Sequence, residues 1–276
     1  LVSIFVLPKL VSGSEIRFDN QSAISKPEVI GATTSAQTVA APVASPTPAP
    51  VVYGGYCLNV PVIFYHHIQP LAEAKTLGHA QLTVDSGIFD SQMAYLVSHG
   101  YTTISADQLA QALVNHGLVP SKSIVVSADD GYDDFYTYAY PIIQKYGLTV
   151  NLAIPTGLLN NSGYMNWDQL KQMVGSGKIF VYNHTWSHAN LVGASSEKAQ
   201  YEVSTAKKQL SENLDRNSDV FFYPYGNENN AAIGTIKANG YNAAFTTIPG
   251  MTQCDSFLMG LHRTRIGNSP LASYGL

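Results

Sequence analysis

The sequence predicts an α/β fold on a parallel sheet, either open or closed into a barrel. Short apolar runs alternate with helix-patterned segments from about residue 56 onward, the order that produces β-α-β units. Three of the runs end directly in clusters of polar or aromatic residues with chemical potential. The length of 276 residues is sufficient for one large domain of this class.

The runs that read as strands are 60–65, 102–104, 124–128, 149–154, 179–183, 220–223, 243–246 and 261–266. Between them, Phe89, Met93 and Leu96 fall on one helical face, as do Leu109 and Leu113. A longer helix places Ala199, Val203, Ala206 and Leu210 on one stripe, at spacings of four, three and four. In both versions of the fold, functional side chains belong at the C-terminal ends of the strands.

Residues 1–9 begin with LVSIFVL and stop at Pro8-Lys9. Seven apolar residues are far short of the roughly 20 that span a bilayer, so the run reads as the remnant of a truncated signal or anchor, or as a stray buried strand. Residues 10–55 are expected to be irregular, with the Pro/Ala/Thr-rich stretch 31–50 acting as a tether. Residues 56–276 form the expected folded domain. A tether after an apolar start places the protein outside the cytoplasm, secreted or held at the cell envelope, with membrane contact only through that N-terminal anchor. Cys57 and Cys254 lie near the ends of the domain and form either one bridge or two free thiols.

Charged residues make up 12% of the chain, against roughly 25% in ordinary soluble domains. The net charge is −4. Nucleic acid and anionic membrane surfaces are therefore not expected partners, whereas a polar, weakly charged surface suits a neutral polymer such as a polysaccharide.

SIVVSADDGYDD (123–134) sets Asp129 and Asp130 at a strand end, with Gly131 turning the chain. Adjacent carboxylates can divide labour, one binding a cation while the other takes a proton. Taken alone, Asp-Asp-Gly is also ordinary turn chemistry. Asp133 and Asp134 precede a helical stretch and read as its cap and first turn. IFVYNHTWSH (179–188) repeats the plan: a strand, then His184 and His188 four residues apart, a spacing that brings two imidazoles to one ion. VFFYPYGNEN (220–229 and beyond) ends a third strand in Tyr223, Pro224 and Tyr225, either a rigid aromatic turn or a wall of a sugar cleft with a backbone N–H held out as an oxyanion donor. PVIFYHHI (61–68) ends the first strand in His66 and His67, which strand alternation sends to opposite faces.

SADDGY, NHTWSH and FYPYG, in this order, resemble the motifs of the NodB-homology polysaccharide deacetylases, carbohydrate esterase family 4. The resemblance runs from about residue 56 to 276 and includes YHHI, GYNAAFTT and LHRTRIGN. It implies a distorted (β/α) barrel of about seven strands and a divalent metal, zinc with cobalt or nickel as alternatives, on Asp130, His184 and His188. It further implies Asp129 as catalytic base, the Tyr225 N–H as oxyanion donor, and Trp186, Tyr223, Pro224 and Tyr225 along the substrate. Two features depart from the common pattern. Phe222 stands where many members carry an Arg that orients the base, so Arg263 or Arg265 is expected in its place, Arg263 preferred. The usual C-terminal acid motif has no counterpart, which makes His66 the candidate acid.

The implied activity is N-deacetylation of a polymer containing N-acetylglucosamine, such as peptidoglycan, an exopolysaccharide or chitin, by a monomeric enzyme. An O-acetyl esterase acting on xylan would use the same residues, and a catalytically silent carbohydrate-binding protein would not need Asp129.

Overall fold

The computed structural model describes residues 53–276; the expected signal or anchor remnant at 1–9 and nearly all of the expected tether at 10–55 lie outside the described residues. Seven parallel strands form the main sheet: β1 (Val62–Tyr65), β2 (Ser123–Asp129), β3 (Val150–Ile154), β4 (Ile179–Asn183), β5 (Val220–Phe222), β6 (Ala243–Phe245) and β7 (Thr264–Arg265). Their spatial order is β6-β5-β4-β3-β2-β1-β7, with Thr102–Thr103 also pairing to the start of β2. The sheet curls into a distorted (β/α) barrel.

The seam explains the weakest expected strand. Leu261 bridges Phe245 on one edge of the sheet, whereas Thr264 and Arg265 pair with Ile63 and Phe64 on the other. One segment crossing between two edges cannot keep a single ladder, so the expected strand 261–266 shrinks to two regular residues. The expected first strand, 60–65, is regular over Val62–Tyr65; beyond it the chain bends at His66, and His67–Gln69 pairs with Thr83–Asp85 in a separate two-stranded sheet.

Alternation along the strands sorts the core into layers. Ile124, Val126 and Ala128 of β2 face outward with Ile63, Tyr65, Leu152 and Val181, against helices Ser86–Ser98, Tyr140–Tyr146 and Trp167–Gly175. Phe89, Met93 and Leu96 are buried there, as their shared face requires. Val62, Val125, Ala153, Tyr182, Phe222 and Phe245 point into the lumen, where Leu109 and Leu113 of helix Ala106–Val114 join them. Helix Ser196–Leu214 buries Ala199, Val203, Ala206 and Leu210 and packs on the outer face of β4, with Phe221 of β5 and Ala244 of β6 in the same apolar layer as Val203. Full burial of Val203 or Leu210 contributes about 1.5–3 kcal/mol each. Polar lumen groups are paired: Ser127 donates to the Ile63 carbonyl, and Asn151 donates to Ile104 and Val126 while accepting from Ala106 N–H.

Cys57 and Cys254 are bridged, opposite each other in the antiparallel pair Cys57–Asn59 and Thr252–Cys254. Of the two readings of these cysteines, the bridge holds, and it joins segments 197 residues apart.

Candidate active site

The lumen parity that buries Val125 and Ser127 also turns Asp129 inward at the end of β2. The same count carries Val62 to Phe64 and His66, and Tyr182 to His184. Beyond each strand end the chain turns sharply. Asp130, Gly131, Thr185, His188, Tyr225 and Gly226 all have positive φ, between 60° and 74°. For the non-glycine residues this left-handed backbone costs about 1–2 kcal/mol each. A Cβ on Gly131 would lie 3.0 Å from the Ile154 side chain, so only glycine fits that turn without a shift.

Asp130, His184 and His188 converge, one ligand atom from each lying within 4.8 Å of the others. The Nε2 atoms of His184 and His188 stand 3.6 and 3.2 Å from Asp130 Oδ1. His184 donates Nδ1–H to the Phe222 carbonyl at 2.8 Å, which turns its Nε2 toward the cluster. Burial lowers the His188 pKa, and His184 lowers it further, against the pull of Asp130 and Asp129. Asp130 Oδ1 is buried and has no hydrogen-bond partner. Burial acts to raise the Asp130 carboxyl, but His184 and His188 hold it far below the usual carboxylate range. Lone pairs and a partnerless anionic oxygen facing one point make a donor set suited to a divalent cation.

A buried carboxylate holds the second ligand loop. Glu202, on helix Ser196–Leu214, accepts the Trp186 and Ser187 backbone N–H groups at 3.0 and 2.7 Å and the Ser187 hydroxyl at 2.6 Å. Asn183 Oδ1 accepts from Thr185 N–H, and Thr185 Oγ1 accepts from Ala189 N–H. Glu202 sits beside the apolar stripe of its helix and reads in sequence as an ordinary solvated position, so nothing at the sequence level marks it.

Asp129 is gripped by Arg263. Nη1 and Nη2 donate to its two carboxylate oxygens at 2.7 and 2.8 Å, and Nε donates to the Thr246 carbonyl. The guanidinium is fully buried, with Cζ 4.4 Å from the Phe64 ring centre and 5.0 Å from that of Phe222. Burial raises the Asp129 carboxyl, but the Arg263 charge, with His184 and His66, brings it below the ordinary value. Arg265 instead donates to the Gln81 carbonyl at 2.6 Å, at the rim.

Asp129, Asp130, His66, His184, His188 and Tyr225 line one cavity of about 530 Å³. The Nδ1 of His66 is buried without a partner. Burial lowers the His66 pKa, partly countered by Asp129 and Asp130, so the ring is neutral near pH 7. His67 turns away, as alternation requires, and pairs with Asp134. Asp133 and Asp134 do open the helical stretch, as expected, but the pairing corrects the capping role of the Asp134 side chain. Asp134 makes no cap hydrogen bond but accepts from Ile68 N–H, because its buried carboxylate ties the bent first strand to the loop after β2. His262 stacks on Phe257, outside the cavity.

Three of the four residues expected along the substrate do not line the cavity. Trp186 lies flat on Gly157, whose Cβ position is 2.5 Å from the indole, and meets Tyr201 edge-on. Tyr223 points outward from β5 into the core against Phe221, and Pro224 is buried in the turn. Tyr225 does line the cavity. It is 61% exposed, and its ring meets His188 edge-on at 4.6 Å.

A family model described as polysaccharide deacetylase matches residues 116–244. Among solved structures, the Streptococcus pyogenes deacetylase PplD in complex with acetate superposes with a TM-score of 0.72 at 27% identity, covering 79% of this chain and 98% of that one. A Bacillus subtilis (strain 168) protein named as a polysaccharide deacetylase, YxkH, is 27% identical over 208 residues, 75% of this chain and 71% of that protein. The poly-beta-1,6-N-acetyl-D-glucosamine N-deacetylase of Escherichia coli O157:H7 is 27% identical over 251 residues, 75% of this chain but 36% of its own length. The chain thus spans about a third of that relative. Among the described residues, no helix is long and apolar enough to cross a membrane.

Proposed function

We propose that this chain is a polysaccharide deacetylase, a metal-dependent hydrolase removing N-acetyl groups from a polymer of N-acetylglucosamine; the family match and the fold support this reading. The observation that carries this reading is the cluster of Asp130, His184 and His188 beside an independently gripped carboxylate, Asp129, in one cavity. In this reading residues 56–276 are the catalytic domain and zinc is the ion, with cobalt or nickel able to substitute. The protein works as a monomer outside the cytoplasm, secreted or tethered at the envelope.

Asp130, His184 and His188 would hold a divalent ion, which would supply Lewis-acid chemistry for the acetyl carbonyl and for water. The rest falls to the chain. Asp129, fixed in orientation by the Arg263 fork, takes the proton of the attacking water. A carboxylate held below its ordinary pKa is a weak base, which is enough for a water already acidified. The Tyr225 N–H, presented by a left-handed residue in a Pro-Tyr-Gly turn, donates to the developing oxyanion. His66 is a neutral ring with a free Nδ1 in the same cavity, so it can take up a proton and pass it to the leaving amine.

The test is acetate release from N-acetylglucosamine oligomers and from acetylated xylan, with and without a zinc chelator. Release from the amide substrate that stops with chelator and returns with zinc is expected. Release from xylan alone would assign the site to O-acetyl esters, and chelator-resistant turnover would remove the metal from the reading.

A further inference from the structure

Gln253 is fully buried, and its side-chain amide is bonded to the backbone of the barrel seam. Oε1 accepts from His262 N–H at 2.9 Å, and Nε2 donates to the carbonyls of His262 and Val60 at 3.1 and 3.3 Å. The seam needs such a partner. It passes from the Phe245 edge of the sheet to the Ile63 edge, so His262 lies outside both ladders. A primary amide carries an acceptor and donors at one end of one side chain, which lets it close both the N–H and the C=O of a single residue as a neighbouring strand would. The clasp is anchored behind. Gln253 is the middle residue of Thr252–Cys254, which pairs with Cys57–Asn59 and is crosslinked to it by Cys57–Cys254. Val60 N–H extends that pair by donating to the Met251 carbonyl at 2.9 Å.

The residue after the clasp is Arg263. Its backbone N–H donates to the Ile248 carbonyl at 3.0 Å and its Nε to the Thr246 carbonyl at 2.8 Å, so main chain and side chain both hang from segment 246–248. The approach of the chain from the N-terminal side is set separately. Leu261 pairs with Ala244 and Thr246, and the Gln253 amide holds His262. An amide that only satisfied stray backbone groups would affect stability and leave the reaction alone. Here the groups it holds belong to the neighbour of Arg263, whose two-bond fork meets Asp129 at 2.7 and 2.8 Å and tolerates little displacement.

We infer that Gln253 is a positioning residue for the reaction: by clasping His262 it fixes the path on which Arg263 enters the lumen, and through the Arg263 fork it fixes the orientation of Asp129. It rests on the deacetylase reading, in which Asp129 is the base. The three side chains act in series, and only Asp129 meets the reacting water.

Gln253→Met keeps the reach of the side chain and removes all three hydrogen bonds. Gln253→Glu, neutral when buried, keeps the acceptor for His262 N–H and one donor. On N-acetylglucosamine oligomers, kcat should fall about tenfold in Gln253→Met, with KM within about twofold and zinc affinity unchanged, and by less in Gln253→Glu. A double-mutant cycle with Arg263→Met isolates the route. If Gln253 acts through Arg263, its replacement should cost less than about twofold in kcat once Arg263 is gone, whereas a merely structural role gives the same factor in both backgrounds. Parental kcat in Gln253→Met, or equal factors in the two backgrounds, overturns the positioning; if the Met variant does not fold, the Glu variant runs the same cycle. Hydrogen exchange of the Arg263 Nε–H, referred to that of Val126 N–H in β2, gives a readout without turnover and should quicken about tenfold in Gln253→Met. An unchanged exchange ratio overturns the positioning even in an inactive protein. A parent that releases no acetate while the ratio changes would sink the deacetylase reading and leave the link from Gln253 to Arg263 standing.

Discussion

Replacing Arg263 by Met removes the partner of a carboxylate that is almost fully buried. Asp129 is 4% exposed and Arg263 wholly buried, and the pair is joined by two charge-assisted hydrogen bonds. Deleting one member of such a pair costs about 3–5 kcal/mol, since the other charge stays buried. At roughly 2–4 °C per kcal/mol for a domain of this size, the melting temperature should drop by about 6–20 °C. The pH dependence carries the sign. In the parent, Asp129 is held below the value of an unfolded carboxyl, so its contribution is present above that value, near 4, and lost as pH falls through the folded pKa. Without Arg263, burial is opposed only by weaker neighbours, and the folded pKa rises. The deficit of the variant should therefore be largest at neutral pH and shrink toward pH 4. The acid limb of kcat/KM should move to higher pH, with kcat down by about a hundredfold at neutral pH as the base loses orientation. Lysine at 263 restores the charge without the fork and should fall between. Thermal melts and pH–rate profiles from pH 4 to 9 measure both effects. Coincident acid limbs for parent and Met variant would refute the claim that Arg263 sets the state of Asp129.

Glu202→Ala should weaken zinc binding about 10–100-fold, read by competition with a chelating dye, because the loop from His184 to His188 loses three hydrogen bonds. Equal affinity would show that the loop holds its shape unaided. His66→Ala should lower kcat about a hundredfold with zinc content unchanged, and near-parental turnover would take the acid role from His66. Cys57→Ser opens a crosslink between residues 197 apart and should cost about 5 kcal/mol on the chain-entropy argument, measured by denaturant unfolding with and without reductant. A Cys57→Ser variant as stable as the parent would mean that the Cys57–Asn59 pair holds equally well without the bond.

The strand ends were legible because two periodicities agree. Val125, Ser127 and Asp129 share one parity and Tyr182 and His184 another, so a reader who finds the apolar runs also finds what faces the lumen. Asp130 and His188 were legible by type and spacing alone; their left-handed backbone is a consequence of the turn and leaves no mark in composition. Trp186, Tyr223 and Pro224 flank cavity-lining residues in sequence but lie away from the cavity themselves: one step along the strand turns Tyr223 from the inward Phe222, and Trp186 and Pro224 sit in the turns beyond their strands. Asp134 misled for a related reason. An acidic residue before a helix looks like a cap, and only the tertiary bend at His66 brings His67 within its reach. Glu202 could not be read at all, since its partners are backbone N–H groups 15 and 16 residues away.

At Phe222 the lumen face of β5 carries a ring, and the partner of Asp129 comes from elsewhere in the sequence, from Arg263. Position 222 is on the lumen face of β5, and an Arg there would reach Asp129 across the barrel. In this chain the guanidinium arrives from the seam before β7, a segment free of a full strand ladder and so able to send Arg263 inward while Leu261 still closes the edge with Phe245. The ring of Phe222 then occupies the volume under that guanidinium, with Phe64 also in contact. A second Arg at 222 would set two cations in one dry site, so the two positions are coupled: with Arg at 263, an apolar ring at 222 satisfies both packing and charge. The backbone of Phe222 meanwhile accepts the Nδ1 proton of His184, which is a contact independent of its side chain. One residue thus touches both halves of the site, orienting a candidate ligand through its carbonyl and supporting the Arg263 partner of Asp129 through its ring.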